Sequence, residues 1–100
     1  MRRTHAMVQV ALALMEDPSA KHWGYDLSRR SGVRSGVLYP LLSRMLEAEW
    51  ITDGWESGAE AVGRPARRYY TLTERGRREI GGVLDAARDE RRFASLFRWV

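Results

Sequence analysis

Cysteine is absent from this chain, so disulfides and thiolate metal sites are excluded and a reducing, cytoplasmic setting is expected. Histidine is scarce. His5 and His22 stand too far apart in sequence to read as a zinc pair, and no cofactor is expected. Lysine is scarcer still: Lys21 is the single one among 17 basic residues, the other 16 being arginine, a ratio that GC-rich codon usage accounts for in large part. No apolar run approaches the length needed to cross a bilayer, so a membrane partner is not expected. The opening Met1-Arg-Arg-Thr-His5 carries two positive charges, but Gln9 and Glu16 interrupt the apolar stretch after it, and it does not read as a signal peptide. Catalytic constellations are also missing. There is no serine nucleophile motif with nearby histidine and acid, and Gly63-Arg-Pro65 is too short for a phosphate loop, so an enzyme is not expected.

The residues present fit one domain of 100 residues. A chain this short is marginal alone. With disulfides and metal excluded, oligomerisation is the expected further source of stability. Residues 1–72 read as a helix-turn-helix with a wing, and 73–100 as a C-terminal dimerisation helix. Charge is unevenly spread: Arg64 to Arg78 holds six arginines against one acid, Glu74, a local net of +5 that leaves −1 for the rest. Such a concentration attracts polyanions.

Met7, Val8, Ala11, Leu12, Leu14 and Met15 recur at mostly helical spacing, which predicts an amphipathic helix from Thr4 to Glu16, ended by Asp17-Pro18-Ser19. A second helix is predicted from Trp23 to Ser31, with Gly32 as its left-handed stop and Val33-Arg34 as a tight turn. Ser35 is the expected N-cap of a third helix running to about Trp50. Two short helices joined by a glycine-containing turn are the helix-turn-helix arrangement.

On the third helix, Leu38, Leu41, Leu42, Met45 and Leu46 share one narrow arc. Gly36, Pro40, Ser43 and Glu47 lie opposite, with Tyr39 and Arg44 on the flanks. An interior proline costs about 3 kcal/mol, so Pro40 is expected at the edge of the first turn. Strands are predicted over Ile51–Trp55 and Arg67–Leu72, and the segment between them, Glu56–Ala66, reads as a flexible wing. Thr73 is the expected N-cap of a long last helix reaching about Trp99. Ile80, Val83, Leu84 and Ala87 form one apolar patch on it, and Phe93, Leu96, Phe97 and Val100 a second.

These stretches resemble the small PadR-type winged-helix transcriptional regulators. The similarity lies in Trp23-Gly-Tyr-Asp-Leu27, in Ser35-Gly-Val-Leu-Tyr-Pro-Leu-Leu42 with Arg44-Met-Leu-Glu47, in Trp50-Ile51, and in Gly63-Arg-Pro65 followed by Arg68-Tyr-Tyr-Thr-Leu-Thr73 and Gly76. The resemblance implies a mainly α fold with a two-stranded wing and N- and C-terminal dimerisation helices. It implies a homodimer bound to double-stranded DNA, with the third helix in the major groove and the wing on the backbone. It also implies repression of nearby genes, relieved in some members by a small-molecule effector. With its short C-terminal helix the chain resembles a minimal member.

Candidate DNA contacts are then Ser35, Gly36, Tyr39 and Ser43 on the groove-facing side, Arg30 and Arg34 flanking the turn, and Arg64, Arg67 and Arg68 on the wing. Arg44 either bridges phosphate or pairs with Glu47 or Glu49, and Tyr39 has a competing place at the edge of the core. The expected dimer interface comprises Met7, Val8, Ala11, Ile80, Leu84, Ala87, Phe93, Leu96 and Phe97. Of the four tryptophans, Trp50 and Trp55 are expected to pack the sheet onto the third helix and Trp23 to start the second, leaving Trp99 as the one to consider for a ligand. A winged-helix module that binds protein instead of DNA is the competing function.

Overall fold

The computed structural model describes residues 1–98. Trp99 and Val100, and with them the ligand reading of Trp99, lie outside the described residues. The elements are α1 (His5–Glu16), β1 (His22–Trp23), α2 (Gly24–Ser31), α3 (Ser35–Glu47), β2 (Ile51–Trp55), β3 (Arg68–Leu72), α4 (Glu74–Arg88) and a closing 3₁₀ helix (Arg91–Phe97). No helix among the described residues is long and apolar enough to cross a membrane.

Helix α1 is the centre of the molecule. Thr4 caps it, its hydroxyl accepting from the Met7 amide at 3.1 Å. Met7, Val8, Val10, Ala11, Ala13 and Leu14 are all buried, and α2, α3, α4 and the 3₁₀ helix all pack on α1. A helix covered on most sides is core, not a free stripe. The dimer-interface expectation is corrected accordingly. Met7, Val8, Ala11, Ile80, Leu84, Ala87 and Phe93 are buried in the chain's own core, and only Leu96 and Phe97 of that set remain half-exposed.

The last helix is also shorter than its pattern suggests. It ends at Arg88, and the chain turns at Asp89–Glu90 into the 3₁₀ helix. Glu90 pairs with Arg3 at 2.7 Å. Phe93 meets the His5 ring edge-on, with centroids 4.9 Å apart. Phe93, Leu96 and Phe97 of the second apolar patch therefore fold back on the core around α1.

The sheet has three strands, not two. β1 pairs antiparallel with β3 (His22↔Tyr70, Trp23↔Tyr69), and β3 pairs antiparallel with β2 (Ile51↔Leu72 through Trp55↔Arg68), giving the order β1-β3-β2. A two-residue strand has no period to detect.

Gly32 does end α2 in the left-handed region (φ 74°), its amide donating to the Ser28 carbonyl at 3.0 Å. The Ser28 hydroxyl donates to the Val33 carbonyl at 2.7 Å and locks the turn. Arg34, not Ser35, occupies the N-cap of α3, and its carbonyl accepts from Val37 and Leu38. Pro40 therefore sits inside the helix, beyond the first turn, on its exposed side.

At the far end of α3, Glu49 takes the left-handed conformation (φ 62°) and the Trp50 amide bonds back to the Met45 carbonyl at 2.9 Å. This is the closing pattern that usually selects glycine. Gly76 in α4 packs against that corner, where a Cβ would collide with the Trp50 carbonyl oxygen.

Candidate nucleic-acid interface

The apolar arc of α3 faces inward as its spacing requires: Leu38, Leu41, Leu42 and Met45 are buried. Ser35, Gly36, Val37, Tyr39, Pro40, Ser43 and Arg44 are exposed along the same helix. Tyr39 is 44 % exposed and Val37 50 %. Tyr39 is thus not a core aromatic, although its hydroxyl occupies the space that a Cβ on Gly24 would need. Val37 is an apolar residue on this face that the pattern alone assigned to nothing. The signal for it was its position outside the leucine arc, next to Gly36 and one turn before Leu41.

Arg44 and Arg34 are exposed and have no carboxylate within ion-pair distance among the described residues. Arg44 therefore makes no ion pair with Glu47 or Glu49.

Arg30 behaves differently. Its guanidinium bonds the Ala13 carbonyl (3.0 Å), Glu16 (3.0 Å), Asp26 (3.0 Å) and the Nδ1 of His22 (2.9 Å). It is a structural tie between α1, β1 and α2, spent on internal partners, and is withdrawn from the contacts expected of the turn. His22, buried beside it, has its pKa lowered chiefly by burial. With Nδ1 accepting from Arg30 and Nε2 donating to the Asp17 carbonyl (2.8 Å), the ring is a neutral tautomer.

The wing is ordered, against the expectation of a flexible loop. The Ser57 hydroxyl accepts from the Glu60 amide (3.2 Å) while the Glu60 carboxylate accepts from the Ser57 amide (3.1 Å). That reciprocal pair is a capping box, legible as Ser-x-x-Glu.

Glu56 organises the base of the wing. Its side chain is only 6 % exposed; it pairs with Arg64, accepts the Arg67 amide at 2.9 Å and lies 3.5 Å from the Arg67 guanidinium. The Arg64 hydrogen bond, with the Arg67 amide behind it, pulls the Glu56 pKa down to about 2. Arg68 bonds Asp53 at 2.7 Å. All three wing arginines named from the sequence therefore have carboxylate partners. The remaining three of the Arg64–Arg78 cluster stand on α4, where Arg75 approaches Glu49 and Arg77 bonds Ser19. The +5 stretch is thus divided between two elements.

The sheet nonetheless brings wing and helix together. A cleft of about 320 Å³ is lined by Tyr39 of α3, by Arg67 and Arg68, and by aromatic side chains of β1, α2 and β2. Trp50 packs in the core as expected, but Trp55 does not: it is 63 % exposed and lines this cleft. Trp23 is half-buried, ending β1 beside Tyr69, with ring centroids 5.4 Å apart.

Three helices, a three-stranded sheet placed around them and a hairpin beside a half-exposed third helix define a winged helix. The family model for the transcriptional regulator PadR-like family matches residues 12–81. This chain belongs to the PadR-like family.

Solved PadR-like structures share the fold. A regulator from Bacillus cereus is 25 % identical, with TM-score 0.62 over 79 % of this chain and 80 % of its own. A PadR family regulator from Clostridium difficile is 20 % identical, with TM-score 0.64 over 94 % of each. ZitR of Lactococcus lactis, solved in complex with DNA, is 13 % identical, with TM-score 0.58 over 85 % of this chain and 53 % of its own. No curated protein matches the sequence.

Proposed function

We propose that this PadR-like chain binds double-stranded DNA as a homodimer and represses the genes beside its sites. Tyr39 on the free face of α3 stands in one cleft with Arg67 and Arg68 at the start of β3, and that juxtaposition carries the reading. It lets one surface meet a groove and its flanking backbone together.

Arg34 and Arg44 supply unpaired cations. Ser35, Gly36, Val37, Tyr39 and Ser43 offer small, apolar and hydroxyl groups to base edges. Arg64, Arg67 and Arg68 reach phosphate by exchanging Glu56 and Asp53 for it. DNA as the ligand is supported by the solved complex of ZitR, which has the same fold. Repression follows from the family resemblance.

The second copy docks on the outer side of α4. A Cβ added at Gly81 or Gly82 would meet nothing, and half-buried Leu12, Met15 and Val83 lie around that side. Leu96 and Phe97 extend the apolar margin.

Selection of bound duplexes from a random pool tests the reading. A dyad-symmetric site is expected, its half-sites about one helical turn apart. Tyr39→Ala relaxes the selected sequence, whereas Arg67→Ala weakens binding evenly across sequences. Indifference to duplex sequence, or salt-insensitive capture of a protein in place of DNA, defeats it.

A further inference from the structure

The flank of α3 away from the wing carries cations of its own. Tyr39 and Arg44 stand five residues apart, about 140° around a helix, so Tyr39 lines the wing cleft and Arg44 lies on the other side. There a second cleft, of about 470 Å³, is lined by Met1, Arg2 and Thr4, which precede α1, and by Leu41 and Arg44 of α3. Two guanidiniums share it and no carboxylate lines it. Neither Arg2 nor Arg44 has an ion-pair partner among the described residues.

Arg2 does not stand on a loose stretch of chain. Its carbonyl accepts the Thr4 amide at 3.1 Å, and Thr4 caps α1. Arg3 bonds Glu90 through two nitrogens, at 2.7 and 3.1 Å. The His5 ring donates to the Arg92 carbonyl at 2.7 Å. Successive residues thus pin the backbone just behind Arg2, which lowers the entropy lost when its exposed side chain holds an anion. Val37, seven residues before Arg44 and so on the same flank, lines an adjoining surface with Gln9, Gly32 and Arg34. That surface adds another guanidinium, again with no carboxylate in its lining.

A helix with its side chains is about 10–12 Å across and the major groove about 12 Å wide. A helix that fills the groove therefore has a sugar–phosphate strand along each flank. Arg67 and Arg68 can serve only the strand on the wing side. We infer that Arg2 and Arg44 together hold a phosphodiester of the opposite strand, with Arg34 farther along it, so that each protomer clamps both strands around α3. This rests on the DNA-binding reading above and adds Arg2, a contact from outside both the helix-turn-helix and the wing. No anion has to be displaced on this flank, unlike the wing. Contacts to phosphate fix the register of α3 without reading bases.

Ethylation interference on a duplex selected from the random pool shows which phosphates each arginine needs. With the parent protein, ethylation should block binding on both strands bordering each half-site. Arg2→Ala and Arg44→Ala should lose interference at the same or neighbouring phosphates, on the strand opposite to those lost by Arg67→Ala. Arg2→Ala also lowers duplex affinity about tenfold, evenly across sequences, and flattens the salt dependence by about two counterions per dimer. Arg2→Lys keeps the charge and recovers most of the affinity. Thermal melts of both variants should match the parent, because Arg2 is exposed and unpaired among the described residues.

Unchanged affinity and salt slope in Arg2→Ala, or loss of the same phosphates as in Arg67→Ala, overturns the clamp and leaves the DNA-binding reading standing. A parent protein that binds no duplex defeats that reading, and the clamp with it.

Discussion

The wing and helix α3 both present arginines, but under opposite conditions. On the wing, Arg64 and Arg67 are drawn to Glu56 and Arg68 to Asp53. On and just before α3, Arg34 and Arg44 are exposed without a carboxylate nearby among the described residues. A phosphate approaching the helix meets free cations. One approaching the wing must displace anions that already hold the guanidiniums in place. Counting charge along the sequence treats these arginines alike, whereas the folded chain divides them into available and pre-engaged. The wing arginines gain fixed positions from this, and the helix arginines keep their full field.

The largest expected effect separates the two sets directly. Arg34→Ala with Arg44→Ala lowers duplex affinity about a hundredfold and flattens the salt dependence by about four counterions per dimer, two from each protomer, whereas Arg64→Ala costs about threefold or less. Binding isotherms at several salt concentrations measure both. Equal losses would erase the distinction.

Releasing the wing is the converse experiment. Glu56→Gln removes the anion, and duplex binding tightens about three- to tenfold with a steeper salt slope. Weaker binding would show that Glu56 serves DNA by positioning the arginines more than it competes.

A smaller effect concerns stability against pH. The Glu56 pKa in the folded protein is about 2, below its ordinary 4.5. Its ionised form is favoured by folding, so its contribution is complete above about pH 4.5 and drains away as pH falls towards 2. Thermal melts across that window should show the advantage of the parent over Glu56→Gln shrinking with acid. A constant gap would mean that the carboxylate is not the group responsible.

Least in size is the corner joining the two regions. Glu49→Gly relieves a left-handed residue and stabilises the fold by about 0.5–1 kcal/mol in urea unfolding, the lost contact with Arg75 being exposed and weak.

Much of the fold was legible because α1 and α3 are long enough for a helical period to declare itself, and because Gly32 and Thr73 mark a stop and a start by their own chemistry. The strand β1 was not legible: two residues carry no alternation, and its pairing is set by β3, almost fifty positions away. The inward side of α3 followed from the leucine arc, whereas Tyr39, at the edge of that arc, was left between core and surface until the fold exposed it.

The roles of Arg30 and of the terminal apolar residues did not follow. Arg30 is claimed by partners from α1, β1 and α2 that no local window brings together. A greasy stripe tells that something covers it, not whose chain does; for Ile80, Ala87 and Phe93 the cover is the protomer itself. Trp55 misled for a related reason, since a tryptophan on a strand has two sides available and only the completed sheet selects one.

Pro40 has one more consequence. Lacking an amide hydrogen, it leaves the Gly36 carbonyl without the donor that a helix normally supplies four residues on, and both residues are on the solvent side of α3. If α3 enters a groove as proposed, the surface it offers includes a main-chain oxygen lacking its helical donor, able to accept from an exocyclic amine of adenine or cytosine. Pro40→Ala would restore the helical bond and take that acceptor away.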